Sequence, residues 1–156
     1  MTIAVDFDGT LVQDKYPQIG EAAPYALDCV KLLQDLGAKI ILYSMRGDYL
    51  LEEAVRYCEN HKFFPSGINT NPDQDAWHDQ HGYPYTTHKV YADVYIDDHN
   101  IGIHKTDTGC ADWNPLYHFI TWFRNRYPES PLSEKSWDFF WSQYREYLKI
   151  RYASRD

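Results

Sequence analysis

Ile3-Ala4-Val5-Asp6-Phe7-Asp8-Gly9-Thr10 decides how this chain folds. Residues 2–6 are short, apolar and largely β-branched, and the run breaks into acids and a glycine. That is the pattern of a buried strand emptying into a loop. Asp6 is thereby placed at the carboxyl end of a strand, with a second carboxylate two residues on.

Outward from this strand the same grammar repeats. From Ala22 to Leu36 the apolar positions Ala26, Leu27, Val30 and Leu33 recur at helical spacing, with Pro24 suited to the first turn and Gly37 to the exit. Lys39 to Tyr43 reads as a second buried strand ending at Ser44. A helix follows from Asp48, with Leu51, Ala54, Val55 and Cys58 on one face. Gly67-Ile68-Asn69 gives a short third strand, and Val90 to Ile96 a fourth that stops at Asp97-Asp98.

Strands alternating with helices imply an α/β fold, a Rossmann-like three-layer sandwich around a parallel central sheet, whose ligands gather beyond the strands' carboxyl ends. Asp6, Ser44, Asn69 and Asp97 all fall there. Asn71 to His88 is expected to be a long polar loop of functional weight. Lys105 to Asp112 reads as irregular, with Gly102 and Gly109 as turn residues. Two aromatic helices, separated by Pro128 and Pro131, complete a single domain 1–156, with a core over 1–105 and a helical extension over 112–156.

Composition narrows the function classes. The chain has 156 residues and a net charge of -8, which disfavours non-specific adhesion to nucleic acid or anionic membrane. Cys29, Cys58 and Cys110 suggest neither a disulfide framework nor a metal knuckle. No basic leader and no apolar run near the roughly 18 residues of a membrane helix is visible, so a soluble cytoplasmic protein is expected. His78, His81, His88, His99 and His104 fit no familiar zinc spacing. The 14 Tyr, 7 Phe and 5 Trp point to large packed faces; Trp113, Trp122, Trp137 and Trp141 raise the alternative of a homo-oligomer surface or a stacking platform for bases.

Two carboxylates at i and i+2 after a buried strand recruit a hard cation with oxygen ligands. With magnesium there, Asp6 is placed to attack phosphorus and Asp8 to pass a proton to the leaving oxygen. Lys89 offers a point charge to the phosphoryl oxygens, and Asp97 with Asp98 complete the oxygen shell. Arg46 is read either as a bidentate phosphate contact or as a surface arginine paired with Asp48.

Asp6-Phe7-Asp8-Gly9-Thr10 resembles the first motif of the haloacid dehalogenase superfamily. Ser44 after Ile40-Ile41-Leu42-Tyr43 resembles its second, Lys89 its third, and Asp97-Asp98 after Val94-Tyr95-Ile96 its fourth. The resemblance implies Asp6 as nucleophile and magnesium ligand, Asp8 as acid and base with its main-chain carbonyl on the metal, Lys89 beside the phosphate, and Asp97 and Asp98 at the metal. Substrate contacts are expected at Thr10, Ser44, Met45, Arg46 and Asn69. Asp8 argues for phosphoryl transfer over dehalogenation, and the short intervals leave no space for a cap domain. The expected activity is a magnesium-dependent phosphomonoester hydrolase acting on a nucleotide or nucleic-acid terminal phosphate. A small-metabolite phosphatase, a phosphotransferase and a non-catalytic phosphate-binding module are the alternatives.

Overall fold

A computed structural model describes residues 1–82, 89–101, 103–128 and 131–153. Four strands form one parallel sheet in the order β5-β4-β1-β6: β1 (Thr2–Val5), β4 (Lys39–Leu42), β5 (Gly67–Ile68) and β6 (Val94–Ile96). Between β1 and β4 lie an antiparallel hairpin, β2 (Val12–Lys15) with β3 (Gln18–Ala22), and helix α1 (Ala26–Asp35). Helices α2 (Asp48–Asn60) and α3 (Pro72–Gln80) flank β5 in sequence, and α4 (Asn114–Arg126) and α5 (Glu134–Tyr152) follow β6. The architecture is the expected α/β one, a parallel sheet flanked by helices.

The reason lies in the apolar content of the two inner strands. Ile3, Val5, Ile40 and Leu42 are fully buried, as expected of strands covered on both faces. β1 pairs with β4 on one side, Ile3 opposite Ile40, and with β6 on the other, Ile3 opposite Val94. The chain therefore builds outward from β1 in one direction and returns to its other side, which makes β1 the point where strand order reverses. Crevices open at such a point, beyond the carboxyl ends.

Helix α1 buries Ala26, Leu27, Val30 and Leu33, the stripe read from the sequence, and Cys29 with them, although it starts at Ala26 rather than Ala22. Residues 18–22 are instead the second strand of the hairpin. The fourth strand is shorter than Val90 to Ile96: only residues 94–96 pair in the sheet, while the Tyr95 hydroxyl donates to the Val90 carbonyl and holds the approach as a turn. The segment expected as a loop from Asn71 contains α3, started by Asn71, whose side chain accepts from the Asp73 amide. Its final part, including His88, lies outside the described residues, as does Gly102.

The aromatic helices turn their rings inward. Phe119 and Phe123 of α4 meet Phe140 of α5 at 5.1 and 4.9 Å between centroids, both near 70°, the edge-to-face geometry that aromatic pairs favour. Trp113 and Trp137 are buried, whereas Trp122 is half exposed. All three cysteines are buried and unbridged. Among the described residues no helix is long and apolar enough to cross a membrane.

Candidate functional site

At the carboxyl edge of the sheet, β1 and β6 deliver their acids side by side. The Asp6 amide donates to the Ile96 carbonyl at 3.0 Å, which extends the pairing one residue beyond β1 and fixes where Asp6 stands relative to Asp97. The chain then turns tightly, Leu11 and Val12 amides both donating to the Phe7 carbonyl. Gly9 makes this turn possible. Its φ is +76°, and a Cβ there would lie 2.7 Å from Asp98 Cγ, so the Asp98 carboxyl packs directly over a position where only hydrogen fits.

Thr10 joins the two acid segments. Its hydroxyl accepts from the Asp98 amide at 2.9 Å and hydrogen-bonds the Asp6 carboxyl, and its carbonyl accepts from Trp113 Nε1 at 2.9 Å. Thr10 is fully buried, so the substrate contact expected of it is corrected: its hydroxyl is spent on Asp6 and Asp98.

Arg46 meets neither expectation. It is 3% exposed and grips Asp8 with two bonds of 2.7 Å, Nε to Oδ2 and Nη2 to Oδ1. Nη1 and Nη2 also donate to the Pro17 and Gln18 carbonyls at the hairpin tip, at 2.9 and 2.8 Å. The guanidinium carbon lies over the Phe7 and Tyr16 rings, 5.2 and 5.4 Å from their centroids. Hydrogen bonding to Asp8 raises its pKa above the usual arginine value, against the opposing effect of burial. It is thus neither a surface arginine paired with Asp48 nor turned toward a ligand.

Ser44 follows β4 half-buried, its Oγ accepting from the Arg46 amide at 3.1 Å. Asn69, after β5, is bound to the Ser44 main chain on both sides, Oδ1 accepting from the amide and Nδ2 donating to the carbonyl, each at 2.8 Å. The role expected of Asn69 as a substrate contact is therefore replaced by that of a brace for Ser44. Met45 is fully exposed.

Lys89 is not in this group. Its carbonyl accepts from Gln74 of α3, Tyr91 is held by Gln74 and Asn71, and the Asp93 amide donates to the Thr2 carbonyl. The segment thus reaches β6 from the edge where β1 begins, opposite Asp6. The lysine among the acids is Lys105, whose Nζ lies 2.7 Å from Asp98 Oδ2.

A solved structure of a conserved protein coded by a locus of Bacteroides thetaiotaomicron is similar to this chain, with 37% identity, a TM-score of 0.62, and coverage of 81% of this chain and 97% of that one. The chain belongs to the same family as that protein. No protein-family model and no curated protein matches the chain.

Burial pushes the Asp6 carboxyl up to about 7, helped by the nearby charges of Asp97 and Asp98 and opposed by hydrogen bonds from the Phe7 amide and the Thr10 hydroxyl. Three acids sharing one edge are a standing repulsion that a cation relieves. Ligating atoms of Asp97, Asp98 and His99 lie within 4.8 Å of one another. Asp98 Oδ1 is buried without a hydrogen bond; His99 Nδ1, 3.1 Å away, lacks the alignment to make one. An unsatisfied buried carboxylate oxygen among other oxygen donors fits a hard divalent ion. Neither His99 nor Lys105 was legible as a member of this group, because only the turn after β6 brings them back to Asp98.

Proposed function

We propose that the chain is a magnesium-dependent phosphomonoester hydrolase of the haloacid dehalogenase type, working through an aspartyl-phosphate intermediate. The observation that carries this reading is the meeting of Asp6 and Asp97-Asp98 at the carboxyl ends of the adjacent strands β1 and β6, tied by the Thr10 hydroxyl. Sequence alone had put acids at two strand ends; their adjacency would let them share one cation.

Magnesium held by Asp6, Asp97 and Asp98 would supply positive charge that favours the ionised Asp6 and offsets its repulsion from a phosphate. An Asp6 oxygen forms its bond to phosphorus as the bond to the leaving oxygen breaks, and Asp8 gives that oxygen a proton. Water then attacks the phosphorus, loses its proton to Asp8 and releases inorganic phosphate with Asp6 restored. Lys105, rather than Lys89, is the lysine near enough to the acids to hold phosphoryl oxygens, together with the Ser44 hydroxyl.

Nucleotides and nucleic-acid ends are the favoured substrates. Tyr16, 60% exposed at the hairpin tip and 5.4 Å from the Arg46 guanidinium that grips Asp8, offers an aromatic ring for a base. Release of phosphate from mononucleotides, 3′- and 5′-phosphorylated oligonucleotides and sugar phosphates, with magnesium or with chelator, tests the reading. Magnesium-dependent turnover is expected, and best on the nucleotide substrates.

A second reading, a non-catalytic phosphate-binding module, draws on one observation: both Asp8 oxygens are engaged by Arg46. Tight phosphate binding without turnover of any ester would select it.

A further inference from the structure

Arg46 is a costly residue where it stands. A fully charged side chain is 1% exposed, and burying an ion pair of this kind is at best weakly stabilising compared with apolar packing. Yet its donors are almost fully used: of the five N–H groups of a guanidinium, four bonds go to two places, two to the Asp8 carboxylate and two to the Pro17 and Gln18 carbonyls. These places are on different segments, the loop after β1 and the tip of the β2–β3 hairpin, and Arg46 comes from a third, after β4. The Phe7 and Tyr16 rings also lie close to the guanidinium, 5.2 and 5.4 Å from its carbon.

We propose that Arg46 is a positioning residue that sets the orientation of the Asp8 carboxylate and couples it to the place of the hairpin tip. The inference rests on the phosphatase reading, in which Asp8 exchanges a proton with the leaving oxygen. A carboxylate has about four lone-pair sites on its two oxygens, and Arg46 uses two of them. The remaining sites are free to take and give the proton, in a direction that the rigid fork fixes. The hairpin tip, bound to the same guanidinium, then stands at a constant distance from the group that serves the leaving oxygen. A lysine in this position keeps the charge and loses the fork.

Two esters separate positioning from mere structure. p-Nitrophenyl phosphate has a leaving group that departs without a proton, whereas glycerol phosphate needs one. Comparison of kcat/KM, which reports the step that expels the leaving group, is made for wild type and Arg46→Lys after melting curves establish that both are folded. The expected loss is about 100-fold on glycerol phosphate and under about 10-fold on p-nitrophenyl phosphate, the difference being of the size of general-acid catalysis. Added guanidinium at low millimolar concentration is expected to restore part of the glycerol phosphate activity of Arg46→Ala. Equal losses on the two esters overturn the positioning role.

The coupling to the hairpin has its own readout. Trypsin cleaves after exposed Lys15, one residue from Tyr16 at the tip. The Lys15–Tyr16 cut is expected to appear at least about 10-fold faster in Arg46→Lys, since loss of the two carbonyl bonds frees the tip; an unchanged rate overturns the coupling. If folded wild type cleaves neither these esters nor any mononucleotide or phosphorylated oligonucleotide, the phosphatase reading itself falls and takes the Asp8 role with it, a result distinct from equal losses in an active enzyme.

Discussion

The Asp98 amide donates to the Thr10 hydroxyl across 88 positions of chain, and the same hydroxyl reaches the Asp6 carboxyl. One buried oxygen therefore sets the spacing between the acids of β1 and β6. Thr10→Val keeps the shape and removes the bond, leaving the Asp98 amide unsatisfied at a cost of about 1–3 kcal/mol. A lower melting temperature is expected, together with a loss of magnesium-dependent activity greater than that of Thr10→Ser. Thermal melts and phosphate release of the two variants check this.

Asp6 links stability to pH. Its pKa is raised from 3.8 to about 7, chiefly by burial, so between these values the folded chain keeps a proton that the unfolded chain releases. The stability this contributes is complete below the unfolded value and is lost as pH rises through about 7. Asp6→Asn has no such loss. In chelator, the variant is expected to melt higher than wild type at about pH 8, and the gap is expected to close toward about pH 4. A gap that widens on acidification contradicts the stated burial of Asp6.

Gly9 carries both a left-handed φ of +76° and the close approach of Asp98 Cγ. Gly9→Ala adds backbone strain of roughly 1–2 kcal/mol and forces the Asp98 carboxyl to move. The half-saturating magnesium concentration for activity is expected to rise at least about 10-fold, a prediction of the oxygen shell assigned to Asp98.

The two lysines are directly comparable. Lys105 contacts Asp98 at 2.7 Å, whereas Lys89 sits with Gln74 at the opposite sheet edge. Lys105→Ala is expected to lower kcat/KM by about 10–1000-fold, the range seen when one charge-stabilising contact is removed. Lys89→Ala is expected to stay within about twofold. The reverse ranking, read from the same assay, would restore the role that sequence order suggests for Lys89.

Much of the frame was legible because it is local. Ile3, Val5, Ile40 and Leu42 write buried strands by themselves, α1 displays its apolar stripe, and acids at the ends of β1 and β6 announce a shared edge once the sheet is parallel. The hairpin escaped notice because β2 and β3 are mostly exposed and polar, without the alternation that betrays a half-buried strand. Helix α3 escaped for the same cause, as it buries no residue. Arg46 was illegible for a different reason. Its burial depends on Asp8, Pro17 and Gln18, at separations of 38, 29 and 28 residues, and no periodicity marks a charge whose partners come from two distant turns of the chain. Lys105 likewise acquires its meaning only from the turn after β6.

The most direct test of the account is phosphate release by wild type and Asp6→Asn from the nucleotide and sugar phosphate panel, each with magnesium and with chelator. Turnover by wild type in magnesium alone, with Asp6→Asn reduced by at least about 1000-fold while still folded, is the predicted result. Equal turnover by Asp6→Asn, or turnover indifferent to chelator, contradicts it.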